Sequence, residues 1–125
     1  MIKGIGIDLV DNSRIKTLYV KYGQNFAKKI LSNNEMIEFQ KTRYPINYLS
    51  KHFASKEALS KALGTGLYRK GIFPSKLDID HDVSGKPFFI MNACLSEVLK
   101  QISASNIFLS ISDTKSHSTA MVLIE

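Results

Sequence analysis

Residues 46–63 read INYLSKHFASKEALSKAL, opened by Pro45 and closed by Gly64. Proline is favoured at the first helical position and glycine just past the last, so the run predicts one long helix. Leu49, Phe53, Ala54 and Ala58 suggest a packed surface along it. Glu57 falls four residues after Phe53 and four before Lys61, so the three stand above one another on one flank. A surface Glu–Lys pair at this spacing contributes only about 0.2–0.5 kcal/mol, and by itself it identifies no site.

Upstream of this helix, residues 2–10 (IKGIGIDLV) alternate as a strand does. Ile5, Ile7 and Leu9 share one face, and Gly4, Gly6, Asp8 and Val10 share the other. Glycines let another backbone come close, and they leave the Asp8 carboxylate free to project into open space. Asp11, Asn12 and Ser13 are better placed than Asp8 to cap the next helix. That helix starts at Ser13, carries Ile15, Leu18, Tyr19 and Tyr22 on one stripe and ends at Gly23. Phe26 with Ile30 and Leu31 suggests a further short turn of helix. Glu35–Arg43 reads as another helix, with acids first and bases last as the helix dipole favours.

Downstream, Leu77, Ile79, His81 and Val83 alternate with Asp78, Asp80 and Asp82, and Ser84-Gly85 turns the chain into residues 86–90, a hairpin. Asn92 is placed to cap a helix over 93–102. Residues 107–112 and 118–124 form a second hairpin. The whole is expected to be a single α+β domain, residues 1–125, with a mainly antiparallel sheet packed against a long helix.

The chain has 125 residues, 44% of them hydrophobic and 22% charged, enough apolar material for a core. One cysteine, Cys94, excludes an internal disulfide framework, and in an amphipathic helix it is expected to be an inert core thiol. His52, His81 and His117 lack zinc-ligand spacing. No apolar run is long enough for a membrane span, and no signal-peptide pattern is present, which points to the cytoplasm. The net charge is +6. Residues 12–61 hold ten Lys/Arg, among them Lys56, against three acids, a surplus of +7 that leaves −1 for the rest. Such an asymmetry predicts a face that attracts an anionic partner.

Other motifs fail. Asp78-x-Asp80-x-Asp82 lacks the glycine and the bidentate glutamate of a calcium loop. Gly4-Ile5-Gly6 lacks the third glycine of a dinucleotide fingerprint, and no phosphate-binding Walker loop is present. A nucleic-acid-binding face is disfavoured: no reading motif is present, and Asp8 and Glu57 would repel a phosphate backbone. What remains is one acid on a glycine-rich strand, another on a long helix, and lysines near them. Two carboxylates from different elements suit Mg²⁺, whose other positions take water and substrate phosphate. That combination points to phosphoryl chemistry or to transfer from a diphosphate leaving group.

At these residues the sequence resembles a known family. Gly6-Ile7-Asp8-Leu9-Val10 followed by Arg14, and Phe53-Ala54-Ser55-Lys56-Glu57-Ala58-Leu59-Ser60-Lys61-Ala62-Leu63-Gly64-Thr65-Gly66, are similar to the two signature segments of holo-[acyl-carrier-protein] synthases. These are small members of the 4'-phosphopantetheinyl transferase superfamily. Gly85-Lys86-Pro87 and Leu109-Ser110-Ile111-Ser112 extend the likeness along the chain.

The resemblance implies transfer of the 4'-phosphopantetheine arm of coenzyme A to a serine of apo acyl carrier protein, with release of adenosine 3',5'-bisphosphate, in support of fatty acid biosynthesis. It implies Asp8 and Glu57 as Mg²⁺ ligands and Lys61 as a phosphate contact. Gly64, Thr65, Gly66, Lys86, Pro87 and Ser112 are implied to hold coenzyme A, with Lys86 and Pro87 acting across a subunit boundary of a homotrimer. Arg14 and Lys21 are implied to dock the acidic carrier protein. One position departs: Asp113 follows Ser112 where many relatives have histidine. No residue is therefore assigned as general base, and a metal-bound water and Glu57 both stay open.

Overall fold

The computed structural model describes residues 1–125. β1 (Gly4–Asp11) leads into α1 (Asn12–Tyr22), α2 (Gln24–Ile30), α3 (Asn33–Phe39) and the long α4 (Pro45–Leu63). After a single 3-10 turn at Pro74–Lys76 come β2 (Ile79–His81), β3 (Pro87–Phe89), α5 (Ala93–Gln101), β4 (Ile107–Asp113) and β5 (His117–Ile124). β5 is the central strand of an antiparallel sheet ordered β1-β5-β4. The architecture is the expected α+β arrangement of an antiparallel sheet against a long helix. The hairpin β2–β3, however, forms a small sheet of its own.

α4 lies across the inner face of the three-stranded sheet. Gly4 and Gly6 explain how closely. A Cβ at Gly4 would stand 2.0 Å from the Ala62 carbonyl oxygen, and one at Gly6 2.0 Å from that of Ala58. Only hydrogen fits there, so strand and helix meet backbone to backbone. Two residues of strand advance about 6.6 Å, close to one helical turn of about 5.4 Å. The next inward position of β1, Asp8, therefore falls at the flank of α4 that carries Glu57 and Lys61. Ala54, Ala58, Leu59 and Ala62 of α4 join Leu109, Ala120, Val122 and Ile124 of the sheet in one apolar cluster.

The opposite face of the sheet is uncovered. Ile5, Ile7 and Leu9 are 61%, 64% and 67% exposed, and Phe108 and Met121 are also exposed. The register places Phe108 and Leu123 beside Ile5, and Ser112 and Thr119 beside Leu9.

Local chemistry sets the ends of the elements. The Asp11 carboxylate accepts from the Ser13 N–H at 2.9 Å and caps α1. Buried Asn12 donates to the carbonyls of Thr114 and Lys115 and accepts from the Ser118 hydroxyl, tying α1 to the β4–β5 turn. Ser32 and Glu35 form a capping box on α3. That helix stops at Phe39, not at Arg43, because the chain must straighten before Pro45, and the Thr42 hydroxyl takes up the Tyr44 N–H at 3.2 Å. α4 closes on Gly64 with φ 74°, a left-handed conformation that suits glycine.

β2 spans only three residues, since Asp82 bends the chain by accepting the N–H groups of Ser84 and Lys86. Two further expectations are corrected. Cys94 is exposed at the start of α5 and is no core thiol. Lys56 is completely buried and belongs to no surface patch.

Candidate active site

A cleft of about 390 Å³ opens between β1, α1 and α4. Asp8, Asp11, Arg14, Glu57 and Lys61 line its polar part, and Ile15, Leu18, Phe26 and Phe53 its apolar part. The strand and helix expected to bring the two acids together both line this cleft. The Lys61 ammonium does not pair with Glu57 along its own helix. It crosses to β1, donating to the Ile7 carbonyl at 2.9 Å and to Asp8 Oδ1 at 3.1 Å. Asp8 is held further by its backbone, whose carbonyl accepts from the Thr119 hydroxyl at 2.8 Å.

Glu57 is left without such a partner. Burial raises its pKa first and the Asp8 charge adds to this, while Lys61 lowers it. Burial and a neighbouring carboxylate both oppose ionisation of Glu57, and an ammonium is already drawn onto that neighbour, so the arrangement would be eased by a cation. Asp11 is not free to join them, since Ser13 holds its carboxylate and lowers its pKa. Asp8, Asp11 and Glu57 share the cleft, but no three carboxylate, imidazole or thiol groups are arranged to hold a metal ion. Asp8 and Glu57 are the two carboxylates the cleft would offer a hard cation whose other positions take water and phosphate oxygens.

A second cleft of about 220 Å³ lies elsewhere, lined by Tyr48, Lys51, His52, His81, Gly85, Pro87, Ile111 and Asp113. It shares no residue with the first. Tyr48 and His52 sit roughly opposite the Phe53–Glu57–Lys61 flank around α4. Asp113, the position of the departure, accepts from the Asn47 amide at 2.8 Å. It thereby joins the end of β4 to the first turn of α4.

The residues predicted for the site thus divide. Asp8, Arg14, Glu57 and Lys61 converge in the first cleft, and Pro87 lines the second. Gly64, Thr65 and Gly66 turn the chain at the end of α4 and line neither. Lys86 lies in the β2–β3 turn, Lys21 in the last turn of α1, and Ser112 on the open outer face of the sheet. Sequence reasoning did not single out Phe26 and Leu18 as site residues, nor Lys51 and His81. Phe53 alone carried a signal, one helical turn before Glu57.

A sequence model of the 4'-phosphopantetheinyl transferase superfamily matches residues 4–121. The chain belongs to this superfamily. It is 38% identical over 125 residues to the holo-[acyl-carrier-protein] synthase of Vibrio cholerae, covering 100% of this chain and 98% of that one. Among solved structures it is similar to the holo-[acyl-carrier-protein] synthase of Neisseria meningitidis, with 43% identity, a TM-score of 0.93, and coverage of 100% and 99%. It is likewise similar to the holo-(acyl-carrier-protein) synthase of Bacillus anthracis in complex with CoA (3',5'-ADP), with 31% identity, a TM-score of 0.83, and coverage of 100% and 97%. This phosphopantetheinyl transferase superfamily member has no helix long and apolar enough to cross a membrane.

Proposed function

We propose that the chain transfers the 4'-phosphopantetheine arm of coenzyme A to a serine hydroxyl of apo acyl carrier protein, with Mg²⁺, in support of fatty acid biosynthesis in the cytoplasm. The observation that carries this reading is the convergence of Asp8, Glu57, Lys61 and Arg14 in one cleft. Coenzyme A in the Bacillus anthracis relative supports the same substrate here.

The serine hydroxyl gives its proton to Glu57 or to water, its oxygen bonds to the phosphorus that carries the pantetheine arm, the bond from that phosphorus to the bridging oxygen breaks, and adenosine 3',5'-bisphosphate leaves. Mg²⁺ bound by Asp8 and Glu57 would offset charge on the transferred and departing phosphates. Lys61, half-exposed, can move from Asp8 to a phosphate oxygen. The N–H groups of Gly64, Thr65 and Gly66 are taken by the Lys61 and Ser60 carbonyls, and the turn would instead let coenzyme A approach closely where the two glycines leave open space. Arg14 and Lys21 present positive charge on α1, the side from which an acidic carrier would approach.

Lys86, Pro87 and Ser112 lie away from the first cleft, so they act from a second copy of the chain. The uncovered apolar face of Ile5, Ile7, Leu9, Phe108 and Met121 is the surface by which copies would assemble as a homotrimer.

Incubation with an apo acyl carrier protein, coenzyme A and Mg²⁺, followed by mass spectrometry, tests the reading. We expect a carrier heavier by one phosphopantetheine, and no product from folded Asp8→Ala or Glu57→Ala. An unmodified carrier, or full product from either variant, would count against it.

A further inference from the structure

Immediately before Glu57 on α4, Lys56 points inward and is 0% exposed. Its three ammonium protons reach three acceptors: the Ile30 carbonyl at 2.7 Å, Glu35 Oε1 at 2.5 Å and the Pro74 carbonyl at 2.8 Å. An ammonium has three donors, so none is left over and none can be shared without loss. Glu35, 2% exposed, also accepts from the Ser32 N–H on Oε1 and from the Ile79 N–H on Oε2, both at 2.9 Å.

These bonds map onto the proposed nucleotide side of the site. Residues 64–78 connect the Gly64-Thr65-Gly66 turn to β2. The segment is fixed at its start by the cap of α4 and farther along by Lys56 at Pro74. Ile79, the first residue of β2, is held by Glu35, and β2 with β3 carries Lys86 and Pro87. Burying such a pair gives little net stability compared with apolar residues of the same size. Its distinguishing property is geometric: it holds the backbone at Ile30, Ser32, Pro74 and Ile79 in fixed register with the turn of α4 that bears Glu57.

We propose that the buried Lys56–Glu35 pair is a positioning device, which fixes the chain at Pro74 and Ile79 and thereby sets the Lys86–Pro87 hairpin for binding coenzyme A. The inference rests on the reading given above for the site.

The test uses the full-length Glu35→Gln/Lys56→Met double variant. Glutamine still serves the capping box, methionine fills the space of the lysine stem, and the Gln amide can donate to His52 Nε2, a buried atom with no partner 3.6 Å from Glu35 Oε2. The variant is expected to melt cooperatively but below the parent temperature, since the Ile30 and Pro74 carbonyls lose their donor. Its calorimetric Kd for coenzyme A should weaken about tenfold or more, since small displacements of binding groups cost that much. The KM for coenzyme A should rise with it, while kcat and the Kd for apo carrier protein change little. Hydrogen exchange at Leu77, Ile79 and Ile90 should quicken.

A folded variant that binds coenzyme A as the parent does refutes the inference alone. A parent that binds no coenzyme A refutes the functional reading and this inference with it. Should the variant unfold, native-state exchange of the parent decides. Leu77, Ile79 and Ile90 must open together with Leu59 of α4, and earlier opening of the three overturns the proposal.

Discussion

Arg14 stands at the rim of the cleft, one turn into α1, and makes no ion pair within its own chain. A charge so placed guides encounter more than it holds the bound state. Arg14→Glu should therefore raise the KM for carrier protein about tenfold while leaving that for coenzyme A unchanged; steady-state kinetics with each substrate varied would reveal equal effects if α1 were not the docking face. His52 differs in being interior. Burial pushes its pKa down to about 3, with Lys56 and Lys51 adding to the shift and its bond to the Tyr48 carbonyl opposing it. An unfolded chain takes up a proton on this residue below about pH 6.5, whereas the native state does so only near 3. Stability due to His52 is thus complete above pH 6.5 and is lost as pH falls towards 3, by at most about 1.4 kcal/mol per pH unit. Facing Glu35 has its pKa raised by burial and works in the opposite sense just above 4.5. The clean measurement is the difference in urea stability between pH 7 and pH 5 for parent and His52→Phe, where the aromatic variant should show the shallower loss.

Among the elements, β1 and α4 make the closest contact in the molecule that depends on side-chain size. Gly6→Ala places a methyl against the Ala58 carbonyl, and neither backbone can yield without unseating the sheet. We expect a loss of about 3 kcal/mol in chemical denaturation; a change within experimental error would mean the strand sits farther from the helix. This contact was partly legible beforehand: alternation exposed the glycine face, and the Pro45 and Gly64 punctuation bounded α4 to within a residue. Asp8 and Glu57 were legible because each sits on an element with clear periodicity. Less could be read where tertiary bonds override pattern. The alternating run 77–83 looked like a full strand, yet Asp82 spends its carboxylate on two backbone N–H groups and ends the strand early. Lys56 counted as surface charge because nothing local announces that Glu35, Ile30 and Pro74 will surround it. Lys51 and His81 line one cleft only because the hairpin folds back beside α4, a juxtaposition with no sequence spacing to betray it.

At the scale of the molecule, the sheet has one face sealed by α4 and one on which Ile5, Ile7, Leu9, Phe108 and Met121 stand exposed. Ile7, at the middle of β1 and 64% exposed, is the natural point to interrupt any association there. Ile7→Lys should leave the far-ultraviolet circular dichroism intact, shift sedimentation to a smaller species and depress turnover; a parent that already sediments as a monomer would remove the basis for shared sites. The two clefts carry a further consequence of a genetic kind. A chain damaged at Asp8 still owns a sound hairpin, and a chain damaged at Pro87 still owns sound carboxylates. Where sites form between copies, a cell expressing both damaged chains would assemble some intact sites. Two different lesions inherited together would then be milder than either alone.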